Sequence, residues 1–205
     1  MATEECTCKK DFPILIFNLA FGDLNMAFSI SDFRKKGLSA GGSRPNLFSC
    51  QFTSAPSGLS AISGTEFTFL CKIATIPPST LGVVEVPYFG RMVKVPGNRT
   101  FDNLSITVIN DEEMAIRKDF EKWMGDFNSH GSNESIYSAG NAGMGTFKIT
   151  HNNREMSASG DINWQFENVF PVALGEIGLD WGSNDTIEEF TVDLAYDYWT
   201  SDFVS

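Results

Sequence analysis

Apolar and polar residues alternate with a period of two over much of the chain. NLFSCQFT (46–53) and TEFTFLCKIA (65–74) read as strands, the second placing Phe67, Phe69, Cys71 and Ile73 on one face. A Ser/Gly-rich loop between them suits an antiparallel pair. Pro77-Pro78 interrupts the pattern, and VVEVPYFGRMVKVPGNRT then supplies two short extended pieces hinged at Phe89-Gly90, a projecting hairpin over 83–97. FDNLSITVI continues as a strand with Leu104, Ile106 and Val108 together. FKITH and DINWQFENVF follow, the latter turning Ile162, Trp164 and Phe166 inward. ALGEIGLDW, a GSND turn and IEEFTVDLAYDYW predict a terminal hairpin. Its last strand sets Phe190, Val192, Leu194, Tyr196 and Tyr198 against Thr191, Asp193, Ala195 and Asp197.

One segment has helical spacing instead. In DEEMAIRKDFEKWMGDF, Ile116, Phe120, Trp123, Met124 and Phe127 fall on one face, behind a cap supplied by Asn110 and Asp111. The acids Asp111, Glu112 and Glu113 are then expected in its first turn, complementing the helix dipole. A polar stretch, NSHGSNESIYSAGNAGMG, reads as a loop. The expected fold is mainly β: a barrel or sandwich of about eight strands with one packed α-helix.

The start of the chain differs. Residues 1–25 lack a convincing secretory pattern, because Glu4, Glu5 and Asn18 intrude and no small-residue cleavage site follows. They read as a dispensable extension ahead of a second methionine, Met26. Residues 26–45 then form a short helix and linker arm: Ser29 and Asp32 make a capping box, Phe28, Ile30 and Phe33 supply apolar contacts, and Gly37 ends the helix. Residues 46–205 form the main domain.

Composition removes several function classes. A chain of 205 residues buries about 70% of its unfolded surface, so it holds a core without disulfides or metal. Two histidines and a lone close cysteine pair, Cys6 and Cys8, offer neither a multi-His site nor a zinc ribbon. No run of about 18 apolar residues occurs, so no helical membrane span and no membrane partner is expected. The formal net charge is −11, and it is segregated. All fifteen Lys and Arg precede Glu155, whereas eleven acids lie from Glu155 onward. A protein that grips nucleic acid clusters its cations; this one concentrates anions.

The motifs with a chemical appearance dissolve in context. Gly37-Leu38-Ser39-Ala40-Gly41 matches a nucleophile elbow, but a helix precedes it where the elbow needs a strand. Gly140, Gly143 and Gly145 sit in a loop with no following amphipathic helix to receive phosphate. Asp180, Asn184, Asp185, Glu188 and Glu189 cluster without calcium-loop spacing and read as turn chemistry. Neither His130 nor His151 has a nucleophile placed beside it, and Cys50 and Cys71 read as small buried apolar groups. No catalytic, cofactor or metal residue is assigned, and no enzyme is expected.

VKVPGNRTFDNLSITVINDEE followed by a helix, and FPVALGEIGLDWGSNDTIEEFTVDLAYDYW, resemble the tail tube proteins of contractile-tailed, myovirus-like bacteriophages. RPNLF (44–48) is similar to that family's lead-in to its first strand. The resemblance spans about 26–199 and leaves 1–25 unmatched. It implies a structural virion protein with a fold similar to phage tail tube and type VI secretion tube proteins. Six copies would form a ring, and stacked rings a hollow tube through which DNA passes without specific binding. The implied partners are further copies of the chain, a tail sheath protein, a baseplate or tube initiator and a tape-measure protein. The virion tail is the implied location, with the host cytoplasm during assembly. Tube-initiating baseplate proteins, tail terminators and a monomeric β-sandwich binding module are the alternatives.

Within that frame an acidic inner wall would repel phosphate, so Asp193, Asp197 and Thr191 are expected to face the lumen. Val86, Tyr88, Arg91, Lys94 and Arg99 are expected in the hairpin that contacts the next ring, the cations reaching acidic partners. Negative-stain microscopy of the purified chain, made once from Met1 and once from Met26, should show rings or hollow tubes. Dispersed monomers from both at high concentration would favour an alternative.

Overall fold

The computed structural model describes residues 30–38, 41–137, 143–155 and 160–203. They divide into two units between Gly42 and Ser43. In the first, α1 (Ile30–Asp32) runs into a π-helical turn (Phe33–Gly37) closed by Leu38 N–H donating to the Phe33 carbonyl over 3.0 Å. Ile30 and Phe33 are exposed, not packed as expected, because a helix of this length offers no second layer to bury them. Phe28, Ser29 of the expected capping box, and the whole of 1–25 lie outside the described residues.

The second unit is built on a curled antiparallel sheet of seven strands. Its order is β1 (Phe48–Ser54), β6 (Gly145–His151), β7 (Ile162–Leu174), β8 (Glu189–Ala195), β5 (Leu104–Ile109) and β2 (Cys71–Ala74). The seventh strand, β9 (Tyr198–Ser201), pairs with β7. No hydrogen-bonded ladder joins the edge strands β1 and β2, so the sheet is an open roll rather than a closed barrel. Inside it, the neighbouring Cys71 thiol and burial push the Cys50 thiol well above its ordinary pKa and keep it neutral. The described strands number nine, because the terminal strand breaks at Tyr196-Asp197 into β8 and β9.

The sheet's apolar face is covered by helix. In α4 (Ala115–Phe127), Ile116, Phe120 and Trp123 are buried; the ring of Phe52 meets Trp123 at 5.8 Å and Phe120 at 6.3 Å. Asp111 Oδ1 accepts from Ala115 N–H at 3.0 Å, capping the helix as expected. Asn110 does not share that task; its backbone and side-chain amides donate to Glu188 instead. Asp111, Glu112 and Glu113 all precede the first turn, contrary to expectation, since Met114 takes a left-handed conformation (φ 50°) before the helix starts.

TEFTFLCKIA is not one strand. Residues Thr65–Leu70 form α3, after a shorter helix α2 (Ser60–Ser63), and only Cys71–Ala74 extends as β2. Phe67 is buried and Phe69 is 82% exposed, which a strand with both on one face would not allow. The helical choice is held from outside the segment. Phe67 packs on Phe52 at 5.2 Å, and the preceding α2 is tied to α4 by Asp119, which accepts the N–H groups of Ala61 and Ile62 at 2.7 and 3.3 Å. β1 therefore pairs with β6 and β2 with β5, not with each other.

Truncating Phe120 or Trp123 to Ala should cost about 3–5 kcal/mol by denaturant unfolding, as for large aromatic side chains in a packed core. Phe69→Ala should stay within about 0.5 kcal/mol, like other exposed sites. Equal losses at all three would contradict the helical placement of Phe69.

Candidate assembly surfaces

Three features outside the core stand open: a hairpin, a polar sheet face and a long acidic loop. The hairpin is β3 (Ser79–Tyr88) with β4 (Arg91–Phe101), a separate two-stranded sheet. Its strands of 10 and 11 residues are longer than the short pieces expected. Phe89 and Gly90 both adopt positive φ (42° and 78°), the tight two-residue turn whose twist suits flanking antiparallel strands. Register Val84↔Val95, Val86↔Val93 and Tyr88↔Arg91 puts four valines on one face, ending in Tyr88 and Arg91 at the tip. All six are exposed. Lys94 lies on the other face, where it pairs with Glu85 at 3.7 Å. Arg99 is opposite Leu81, beyond a bulge toward the base.

Phe101 anchors that base. Its ring lies 5.9 Å from Tyr196 and 6.4 Å from Trp199. Burial, with the nearby Asp102 charge, pushes the Tyr196 hydroxyl up to about 12, so it stays a neutral phenol.

The second feature is the sheet face opposite the core. Inward Phe190, Val192 and Leu194 leave Thr191 and Asp193 on the other side of β8, beside Thr107 and Ser105 of β5. The same face carries Gln51, Lys148, Gln165 and Thr200 in adjacent register across β1, β6, β7 and β9. Glu167 extends it, its carboxylate accepting from Gln165 at 2.5 Å and Thr146 at 3.0 Å. These β6 and β7 residues escaped the sequence reading, because only pairing register shows that they share a face with β8. Asp197 lies just past β8 and has a structural task. It accepts from Asn168 Nδ2 at 2.6 Å, holding that residue in a left-handed conformation (φ 56°) where β7 turns a corner. On one edge β7 carries β9 before this corner and β8 after it.

The third feature, 175–188, contains no strand and replaces the long arm expected of ALGEIGLDW. Asp180 organises its turn, accepting Gly182 N–H at the carboxylate and Ser183 N–H at the carbonyl. Leu179, Trp181 and Ile187 are exposed, Trp181 fully at 101%.

Among the described residues the candidate chemical groups do not assemble into a catalytic site. His151 Nε2 lies 3.0 Å from the Arg44 carbonyl, so that nitrogen carries a proton and cannot accept one from Ser43 Oγ, 3.4 Å away. His130 lines a groove of about 750 Å³ whose nearest charges, Arg117 and Glu121, pair with each other. Ser39 and Gly140 lie outside the described residues. Gly143 and Gly145 serve packing: the Gly143 carbonyl accepts from Trp123 Nε1 at 2.7 Å, and a Cβ on Gly145 would meet the Ser54 carbonyl. No group of three or more His, Cys, Asp or Glu is arranged for a metal among the described residues.

An exposed apolar hairpin and a polar sheet face are thus the surfaces that the body presents. Residues 43–202 match the family described as phage tail tube protein. The chain belongs to that family. It is 30% identical to tail tube protein gp19 of Enterobacteria phage T4 over 177 residues, covering 86% of this chain and 97% of that one. The corresponding protein of Enterobacteria phage T6 is 29% identical over the same length and coverage. A sheath/tube terminator of the PVC extracellular contractile injection system, in its extended state, shares the fold. Its TM-score is 0.56 at 15% identity over 78% of this chain and 96% of that one. The role of this tail tube protein is structural, and the family is not one of enzymes.

The hairpin of the tail tube protein contributes nothing to the buried core. Replacing 85–94 by a two-residue turn should therefore leave the melting temperature within about 4 °C, the shift about 1 kcal/mol produces in a domain of this size. A loss of cooperative unfolding would show that the hairpin supports the body.

Proposed function

We propose that this tail tube protein forms hexameric rings that stack into the hollow inner tube of a contractile tail. DNA passes through the lumen without specific binding, and a sheath surrounds the tube. The single observation that carries the reading is the β3–β4 hairpin, apolar on an exposed face and uncovered in the lone chain. A two-stranded hairpin is at best marginally stable in water, so a surface of this kind calls for cover from another chain. In the tube it contacts the next ring through Val86, Tyr88 and Arg91, with Lys94 and Arg99 contributing charge.

The open edges of β1 and β2 support lateral association, because closing sheets across neighbours removes unpaired backbone groups that otherwise aggregate. The polar face bearing Thr191 and Asp193, with Asp197 and Glu167 alongside, lines the lumen and repels phosphate. A tube initiator at the baseplate and a tape-measure protein complete its partners. The virion tail is its site of action, after assembly in the host cytoplasm. The domains follow the same reading: a non-essential 1–25, an arm at 26–45 and the tube-forming body at 46–205.

Thr191→Lys with Asp193→Lys tests the wall; Asp197 is left intact because it holds the β7 corner. Tubes of normal length should form, retain DNA in a salt-dependent way and lower plating efficiency at least about tenfold, since each added cation engages phosphate. A tube structure with Asp193 on the outer surface refutes the lumen assignment.

A further inference from the structure

The hairpin and the 175–188 loop leave the same strand pair at opposite ends. In the β5–β8 ladder, Leu104 faces Leu194 at one end and Ile109 faces Glu189 at the other. The hairpin ends at Phe101, just ahead of Leu104, whereas the loop runs from Leu174 to Glu189. The ladder between them spans about 17 Å, six residues at strand spacing. The two surfaces are opposite in charge. The hairpin holds Arg91, Lys94 and Arg99 against one acid, Glu85; the loop holds Glu176, Asp180, Asp185 and Glu188 and no Lys or Arg. Each also shows apolar groups to solvent: four valines with Tyr88 on one side, Leu179, Trp181 and Ile187 on the other. Their exposure shows that they do not cover each other within a chain.

We infer that the acidic loop 175–188, with Trp181 as its anchor, receives the valine face of the β3–β4 hairpin from a second copy of this chain. The inference rests on the reading of the hairpin as the stacking element and names the surface it meets. Trp181 lies against Val84, Val86, Val93 and Val95. Arg91 at the tip faces Asp180 and Asp185, and its guanidinium is suited to the indole face as well as to a carboxylate. Large aromatics and arginines carry a disproportionate share of interface energy, and this contact joins one of each. A contact between two different patches at opposite ends is heterologous, so it propagates in one direction and does not close as a dimer.

The test uses the full chain under conditions in which it forms tubes. Trp181→Ala removes a side chain that is fully exposed, so its melting temperature should stay within about 2 °C. Mean tube length should fall at least about tenfold, the effect of losing one interface anchor. In a Cys6→Ser, Cys8→Ser background, Val86→Cys with Ser183→Cys should give a ladder of disulfide-linked oligomers on mild oxidation. Neither single cysteine should do so, because Cys50 and Cys71 are buried. Full-length tubes from Trp181→Ala, or double-cysteine tubes that run as monomers, overturn the inference. If the 85–94 replacement nevertheless stops tubes in the same assay, the hairpin remains the stacking element and only its receiving surface is wrong. Tubes from both variants refute both readings.

Discussion

Phe52 is the contact on which the body depends. From the middle of β1 its ring reaches Phe67 on α3, Phe120 and Trp123 on α4, and Phe147 on β6, with centroids 4.7 to 6.3 Å apart. Four elements distant in sequence are thereby closed around one aromatic knot. Edge-to-face and tilted packing of this kind adds directional preference to the area buried. Because the knot uses the apolar face of the sheet, the opposite face is left polar. Because α2, α3 and α4 are occupied there, none of them covers the β3–β4 hairpin.

The pattern of residues revealed what local periodicity decides. β1, β5 and β6 were legible, as were α4 with its Ile116, Phe120 and Trp123 stripe and the Phe89-Gly90 turn, since each obeys one period without competition. α3 was not. Its alternation of Phe67 and Phe69 satisfies a strand, and the helix is favoured by contacts remote in sequence, since Phe67 packs on Phe52, Phe120 and Phe147. The break between β8 and β9 was hidden for a related reason. Apolar alternation continues through Tyr196 and Tyr198, but the chain changes partner from β5 and β7 to the other half of β7.

Surfaces were harder to read than the core. That the hairpin projects follows from its glycine turn and flanking prolines, whereas the side each cation takes follows from register. Arg91 sits with the valines and Lys94 opposes them, paired to Glu85. The face shared by Asp193, Lys148, Gln165 and Glu167 depends on pairing between strands far apart in the chain. No spacing along the sequence announces such a face.

The corner at Asn168 has a geometric consequence for any wall made from these sheets. Two halves of the sheet meet there, and Asp197 ties the corner, its carboxylate accepting from Asn168 and its N–H donating to the Glu167 carbonyl. In a ring each copy adds its own corner to the circumference. In the proposed ring the bore would follow from one geometry repeated in every copy, a corner tied by the Asn168 amide to Asp197 and by the Asp197 N–H to the Glu167 carbonyl.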